Sequence, residues 1–240
     1  MDQPGQVPSI SKRTEVGKLA RMAFAGFSIH GSVLSPIECE RLVASLAGTV
    51  RSRAGARHLM RHPAVMTIAA DPRLLDLARE WVGPDAVPYR ATLFDKSVSS
   101  NWLVSWHQDT ALPLGARSSD PRWGSWSTKA GIIYAQAPAA ELERIVALRL
   151  HLDPSTRENG PLRLVPGSHR HGVLSDQAVR DLVAAEPLTE CLSDIGGIIR
   201  MRPLIVHASS KAVNKARRRV LHIEYAPSLS TLDGLPLAIA

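Results

Sequence analysis

The 240-residue chain has only two cysteines, Cys39 and Cys191, too few for a disulfide scaffold or a structural zinc knuckle. They read as buried or free thiols in a reducing compartment. No apolar run approaches the roughly 18 residues needed to span a bilayer. The stretch from Met1 to Val16 is polar, holds Pro4 and Pro8 and has no hydrophobic segment. A secretory leader is therefore not expected, and a cytoplasmic location is. No GxGxxG, Walker loop, GxSxG or internal repeat is present. Acid is missing locally. Between Asp194 and Glu224 there is none, against seven bases: Arg200, Arg202, Lys211, Lys215, Arg217, Arg218 and Arg219. With a formal net charge of +7, this one segment sets the sign of the whole protein.

What is present describes a folded chain. Hydrophobic residues make up 45% and charged residues 21%, which excludes disorder and supplies a sizeable core. Residues 1–15 read as a flexible arm and 16–240 as one domain. Ser35-Pro36-Ile37-Glu38 is a capping box with proline at the first helical position. Cys39, Leu42, Val43 and Leu46 follow as its apolar stripe, and Gly48 is placed to close the helix. Asp71-Pro72 opens a second helix, with Leu74, Leu77, Ala78 and Trp81 on one face and Gly83 at the end. From Val87 onward short β-prone runs alternate with turn residues: 89–94, 102–107, 145–152, 162–165, 198–207 and 219–225. That texture predicts a sandwich or barrel rather than a parallel nucleotide-binding sheet. Residues 175–186 read as a late helix, and 113–122 as a long polar loop.

His107-Gln108-Asp109 is the sharpest local feature. Alternate residues of a strand face the same way, so His107 and Asp109 present an imidazole and a carboxylate side by side. His207 closes a later apolar run, Leu204-Ile205-Val206. Two histidines and a carboxylate on one face of a metal leave its other positions open, the facial triad of non-haem Fe(II) oxygenases. An HxD triplet alone fits a solvent-facing strand end equally well. Context strengthens it: Trp102, Trp106, Trp123 and Trp126, four of five tryptophans, lie nearby and can wall a dry pocket or simply pack the core. Arg218 lies eleven residues after His207, far enough for a turn and a return strand. On that strand Arg218, Val220, His222 and Glu224 share one face, and Leu221, Ile223 and Tyr225 the other. A guanidinium near the metal suits bidentate capture of a carboxylate. His169 and His171, also two apart, follow a Pro-Gly-Ser turn and read as loop or surface residues.

The run from Glu158 to Arg170 (ENGPLRLVPGSHR) resembles the phytanoyl-CoA dioxygenase family. So do Trp106-His107-Gln108-Asp109-Thr110 and His207-Ala208-Ser209-Ser210 with Arg218 beyond it. The resemblance extends from about Gly26 to Pro227. It implies a double-stranded β-helix (jelly-roll, cupin-like), mainly β, with flanking N-terminal helices. It also implies Fe(II), the co-substrate 2-oxoglutarate and dioxygen. By position it makes His107, Asp109 and His207 the iron ligands and Arg218 the grip on the distal carboxylate of 2-oxoglutarate. Thr92 falls where a further co-substrate contact is common, and Arg149 where some members place an aromatic. The intact carboxylate ligand disfavours halogenating variants of the chemistry.

The expected reaction is hydroxylation of a C–H bond of a small-molecule substrate, an anionic one among the candidates, with release of succinate and CO2. Desaturation or cyclisation needs only a different pose. Lys96, Trp126 and Lys129 flank the motif region, and a second acid-free stretch holds Arg41, Arg51, Arg53, Arg57 and Arg61. Both suit an anionic substrate, or plain solvated surface. Two alternatives stand beside this one: a basic nucleic-acid-binding module, which lacks a binding motif, and a cupin-like metal enzyme that does not use 2-oxoglutarate. No nucleic-acid or membrane partner is expected. The oligomeric state is open.

Overall fold

The computed structural model describes residues 25–49 and 55–240. The expected arm, and Arg51 and Arg53 of the second basic stretch, lie outside them. Among the described residues the strands are β1 (Phe27–Ser32), β2 (Gly55–Ala56), β3 (Val87–Lys96), β4 (Val104–His107), β5 (Ala111–Leu114), β6 (Gly124–Lys129), β7 (Ile132–Gln136), β8 (Val146–His151), β9 (Leu162–Leu164), β10 (Thr189–Cys191), β11 (Gly197–Met201), β12 (His207–Ser209) and β13 (Arg218–Ala226). The helices are α1 (Pro36–Ser45), α2 (Pro63–Ala69), α3 (Pro72–Val82), α4 (Ala139–Leu142) and α5 (Asp176–Ala185). A six-stranded antiparallel sheet runs β1-β11-β8-β13-β3-β2, and a four-stranded one runs β10-β9-β12-β4. Ala147, Ile199 and Met201 of the first pack against Leu162, Leu164 and Cys191 of the second. The two sheets face each other as a jelly roll. No described helix is long and apolar enough to cross a membrane.

Period-two alternation decides what each long strand offers to either side. Leu148 and Leu150 of β8 and Leu221, Ile223 and Tyr225 of β13 join Leu42, Val65, Leu74 and Ala78 in one buried cluster with the N-terminal helices. Arg149, His151, Arg218, His222 and Glu224, also buried, take the opposite face. This is the split expected for β13. Burying so much charge inside a barrel is costly unless a site requires it.

The helix signals act as read. Ser35 and Glu38 complete the capping box of α1. Asp71 caps α3 by accepting from the Arg73 amide, and Gly83, at φ 111°, follows its last residue. Ser175 caps α5. Both cysteines are buried and free.

Three expectations need correction, and one further helix is not announced by the sequence. Helix α1 ends at Ser45 with Leu46 as its cap, so Gly48 lies in the turn beyond and does not close it. The run 198–207 is two strands, because the turn around Pro203 carries the chain from one sheet to the other. The polar loop at 113–122 begins inside β5, which with β7 and β6 forms a third sheet. Its period was obscured by the bend in β6 where Ser125 takes φ 48°. Helix α2 carries no capping signal, since its N-cap His62 makes no side-chain cap hydrogen bond.

Candidate metal centre

His107 closes β4, and Asp109 follows just outside it, held by its amide donating to the Pro203 carbonyl at 3.0 Å. β12 lies between β4 and β9, and its first residue, His207, pairs directly with His107. His107 Nε2 lies 3.7 Å from Asp109 Oδ1, and His207 Nε2 lies 3.6 Å from Asp109 Oδ2. One ligand atom from each residue falls within 4.8 Å of the others.

The hydrogen bonds settle the tautomers. His107 Nδ1 is 2.8 Å from the Ser105 carbonyl, and His207 Nδ1 is 2.8 Å from the Ile205 carbonyl. A carbonyl only accepts, so each Nδ1 carries the proton and each Nε2 turns a lone pair toward Asp109. Burial lowers His207 to about 4, the repulsion of His107 adding to it against the attraction of Asp109. Burial by itself would raise the Asp109 carboxyl, yet His207, His107, His222 and Arg90 together hold it below the ordinary carboxylate range. Two neutral imidazoles and an ionised carboxylate are the donor set a borderline divalent metal takes. The residues fit Fe(II).

Gln108 supports this geometry. Its side-chain NH2 donates to the carbonyls of Gly172 (2.8 Å) and Leu204 (2.7 Å), and its Oε1 accepts from the Leu174 amide (2.8 Å). The middle residue of the triplet thus pins the segment between the two histidine strands.

A small cavity of about 80 Å³ opens beside the triad, with Lys96, Trp102, Arg149, Ser209 and Arg218 in its walls. Arg218 donates through Nε to the Asn159 carbonyl (3.2 Å) and through Nη2 to Ser209 Oγ (3.1 Å). Lys96, which pairs with Arg218 across the strands, donates to the same Ser209 Oγ (3.0 Å) and to the Ser210 carbonyl. These partners are neutral. Burial, then the nearness of Arg149, pushes Arg218 down to about 9, and burial with Arg218 and Arg149 pushes Lys96 down to about 7. The neighbouring arginines differ: Arg217 pairs with Asp95 and Arg219 with Asp153, each at 2.7 Å. Of the three in the run, Arg218 alone turns inward without an acid. Gly160 makes room for this cradle at φ 71°; a Cβ there would stand 2.2 Å from the Ser210 oxygen and 3.1 Å from Lys96 Nζ.

Arg149 lines the same cavity, with its guanidinium 5.3 Å from the Phe94 ring and Nη1 3.2 Å from His222 Nδ1. Arginine only donates, so His222 is protonated on Nε2 and gives that proton to Glu224 Oε1 at 3.0 Å. Glu224 also accepts from Tyr89 (2.5 Å) and pairs with Arg90. His222 is therefore both a satisfied core histidine and a wall of a second cavity.

That second cavity, about 250 Å³, shares Asp109 and Phe94 with the first. Thr92 faces it. Thr92, Phe94 and Lys96 share one face of β3, but position along the strand divides them: Thr92 lines only the larger cavity, Phe94 both, and Lys96 only the smaller. Of the four clustered tryptophans only Trp102 lines the smaller cavity. Trp106 packs with Val165, Val179 and Val206, while Trp123 and Trp126 belong to a separate cluster. Lys129 and Arg57 line the larger cavity, whereas Trp126 lines neither. His171 is exposed, but His169 is half-buried over Gly26, because the absent side chain there admits its ring. The roles of Ser209 and Gln108 have no signal in the sequence, because their partners Lys96, Gly172 and Leu204 lie far away along the chain.

The chain matches the model of the family described as "Phytanoyl-CoA dioxygenase (PhyH)" over residues 26–220. It is 26% identical over 180 residues to an L-proline trans-4-hydroxylase of Streptomyces griseoviridis, covering 64% of this chain. The chain spans 59% of that relative's own length. The non-haem alpha-ketoglutarate-dependent carbocyclase SnoK from nogalamycin biosynthesis superposes with TM-score 0.70 at 16% identity, over 94% of this chain and 88% of that one. HygX of Streptomyces hygroscopicus, solved with nickel and 2-oxoglutarate bound, gives 0.64 at 18%, over 90% and 87%. At these identities the structures establish a shared fold.

Proposed function

The chain belongs to the phytanoyl-CoA dioxygenase family, and from that premise we propose that it is an Fe(II)- and 2-oxoglutarate-dependent dioxygenase that hydroxylates a C–H bond of a small molecule. His107, Asp109 and His207 hold the iron. Arg218, Lys96 and Ser209 hold the distal carboxylate of 2-oxoglutarate, and Arg149 adds positive charge to the same pocket. When bound, iron and co-substrate supply the oxidation: dioxygen is consumed and 2-oxoglutarate leaves as succinate and CO2. The protein presents Nε2 lone pairs, keeps Asp109 ionised and offers the dicarboxylate two poorly compensated cations.

One observation carries this reading. Arg218 and Lys96 are both buried, both unmatched by acid, and share one hydroxyl in a cavity that also contains the triad. The pair suits the distal carboxylate of a co-substrate that chelates the metal through its other end. The L-proline hydroxylase relative supports hydroxylation as the outcome. The acyl-CoA substrate in the family's name is not carried over.

Lys211 and Lys215 of the basic segment are exposed, but the engagement of its arginines favours the small-molecule reading over a nucleic-acid one. Arg200 is buried against Glu80, Arg202 bonds backbone carbonyls and lies over Trp81, and Arg217 and Arg219 are paired with acids. The test is anaerobic titration with Fe(II) and 2-oxoglutarate. A weak visible absorption band that needs both components is expected. A band formed without 2-oxoglutarate, or retained in His107→Ala, refutes the assignment.

A further inference from the structure

We infer that the larger cavity is the substrate cleft and that it takes a small molecule presenting an oxyanion, a carboxylate or a phosphate, to Arg57 and Lys129. The inference rests on the oxygenase reading and names the substrate class for that site. The cavity reaches the triad through Asp109, and only the Phe94 side of β3 separates it from the co-substrate pocket. Among the described residues Asp109, assigned to the metal in the oxygenase reading, is the only acid in its lining. Glu224 lies behind the wall, engaged by Tyr89, Arg90 and His222.

The cations come from separate elements and converge. Lys129 ends β6 and lies with Nζ 4.8 Å from the centroid of Tyr134 on β7. Arg57 follows β2, and among the described residues no acid pairs with either. Both side chains are exposed on one side, and partial desolvation, with repulsion from Arg57 and Arg90, lowers Lys129 from its ordinary value. A bound oxyanion would relieve that repulsion. His58, next to Arg57, is held at φ 60°, a left-handed backbone uncommon outside glycine. Its ring stacks on Tyr134, and its Nε2 bonds the Tyr134 hydroxyl at 2.9 Å. The strained residue and its tyrosine thus fix the backbone that carries Arg57 at the cleft wall. At about 250 Å³ the cavity is near the small end of ligand pockets, so the enclosed part of the substrate is compact.

The experiment is ligand-observed NMR on the Fe(II)-loaded enzyme under anaerobic conditions. Saturating 2-oxoglutarate occupies the co-substrate pocket. The probes are a fragment set built as matched carboxylic acids, phosphate monoesters and primary amides. Acids, phosphates or both are captured and amides are not, and capture falls at least tenfold in the Arg57→Gln/Lys129→Gln double variant. Which anionic arm binds identifies the oxyanion. Equal capture of acids, phosphates and amides, no capture at all, or capture that survives the double variant overturns the inference. The affinity for 2-oxoglutarate, measured on both proteins, separates the two readings. If it binds while the fragments fail, only the substrate class is wrong; if it does not bind, the oxygenase reading falls and takes the cleft with it.

Discussion

His107 faces His207 directly across the antiparallel pairing of β4 with β12, their ring centroids 4.3 Å apart. Each ring is tied by Nδ1 to its own strand, so strand register sets the spacing of the two imidazoles proposed as metal donors. Removing any one donor leaves too few to hold the ion. Asp109→Ala and His207→Ala are expected to lose more Fe(II) affinity than the ~10–100-fold that follows loss of a merely supporting contact. Chelator competition measures this, and circular dichroism confirms that the fold persists.

Only one of the three consecutive arginines points inward. Arg218→Lys keeps the charge but loses the fork that a carboxylate matches, so the Kd for 2-oxoglutarate rises, by about tenfold or more for ~1.4 kcal/mol lost. Arg217→Gln and Arg219→Gln break outward pairs with Asp95 and Asp153 and leave that Kd unchanged. Calorimetry distinguishes the three.

Lys96 gives the co-substrate affinity a pH dependence of known sign. Its value of about 7 in the empty pocket comes from burial and two neighbouring arginines. A bound carboxylate favours the charged form and raises it. Binding above pH 7 therefore takes up a proton, and affinity falls as pH rises, by up to about tenfold per unit. Well below pH 7 the lysine is already charged and uptake vanishes. Titrations in two buffers of different ionisation enthalpy measure the proton. Uptake persisting in Lys96→Met would show that another group titrates.

Glu224 is fully buried and neutralises Arg90 while accepting from His222 and Tyr89. Glu224→Gln leaves a buried guanidinium without its counter-charge and is expected to cost about 3–5 kcal/mol. Tyr89→Phe removes one donor to a charged acceptor and costs about 1.5–3 kcal/mol. Urea denaturation gives both values. The larger must belong to Glu224.

Gly160→Ala drives a Cβ toward the Ser210 carbonyl that Lys96 holds. Together with the left-handed φ, this is expected to cost about 1–3 kcal/mol. It should also weaken 2-oxoglutarate binding while Fe(II) affinity is preserved. Parallel titrations of the two ligands check that split.

Much of this was legible because it follows from period and punctuation. Ser35, Asp71 and Ser175 announce their helices, and alternation along β13 sorts Arg218, His222 and Glu224 from Leu221, Ile223 and Tyr225. What was hidden depends on partners distant in sequence. Nothing near Lys96 says that it lies beside Ser209, and nothing near Trp106 says that it packs on α5 rather than the pocket. Thr92 and Lys96 have the same parity on β3, so alternation cannot tell which stands on which side of Phe94. Gln108 looks like a spacer until the carbonyls of Gly172 and Leu204 are brought to it.

The two cavities meet at Phe94 and Asp109 and share the six-stranded sheet as one wall, with Arg90, Thr92 and His222 lining the larger and Lys96, Arg149 and Arg218 the smaller, and they differ in what stands opposite. The co-substrate side is built from the two facing sheets, while Lys129 and Tyr134 of the larger cavity belong to the third sheet and Arg57 to the segment after β2. Mutational tolerance should divide along that line. Substitutions in β6, β7 and the Arg57 segment can re-specify what is oxidised without retuning how the oxidant is generated.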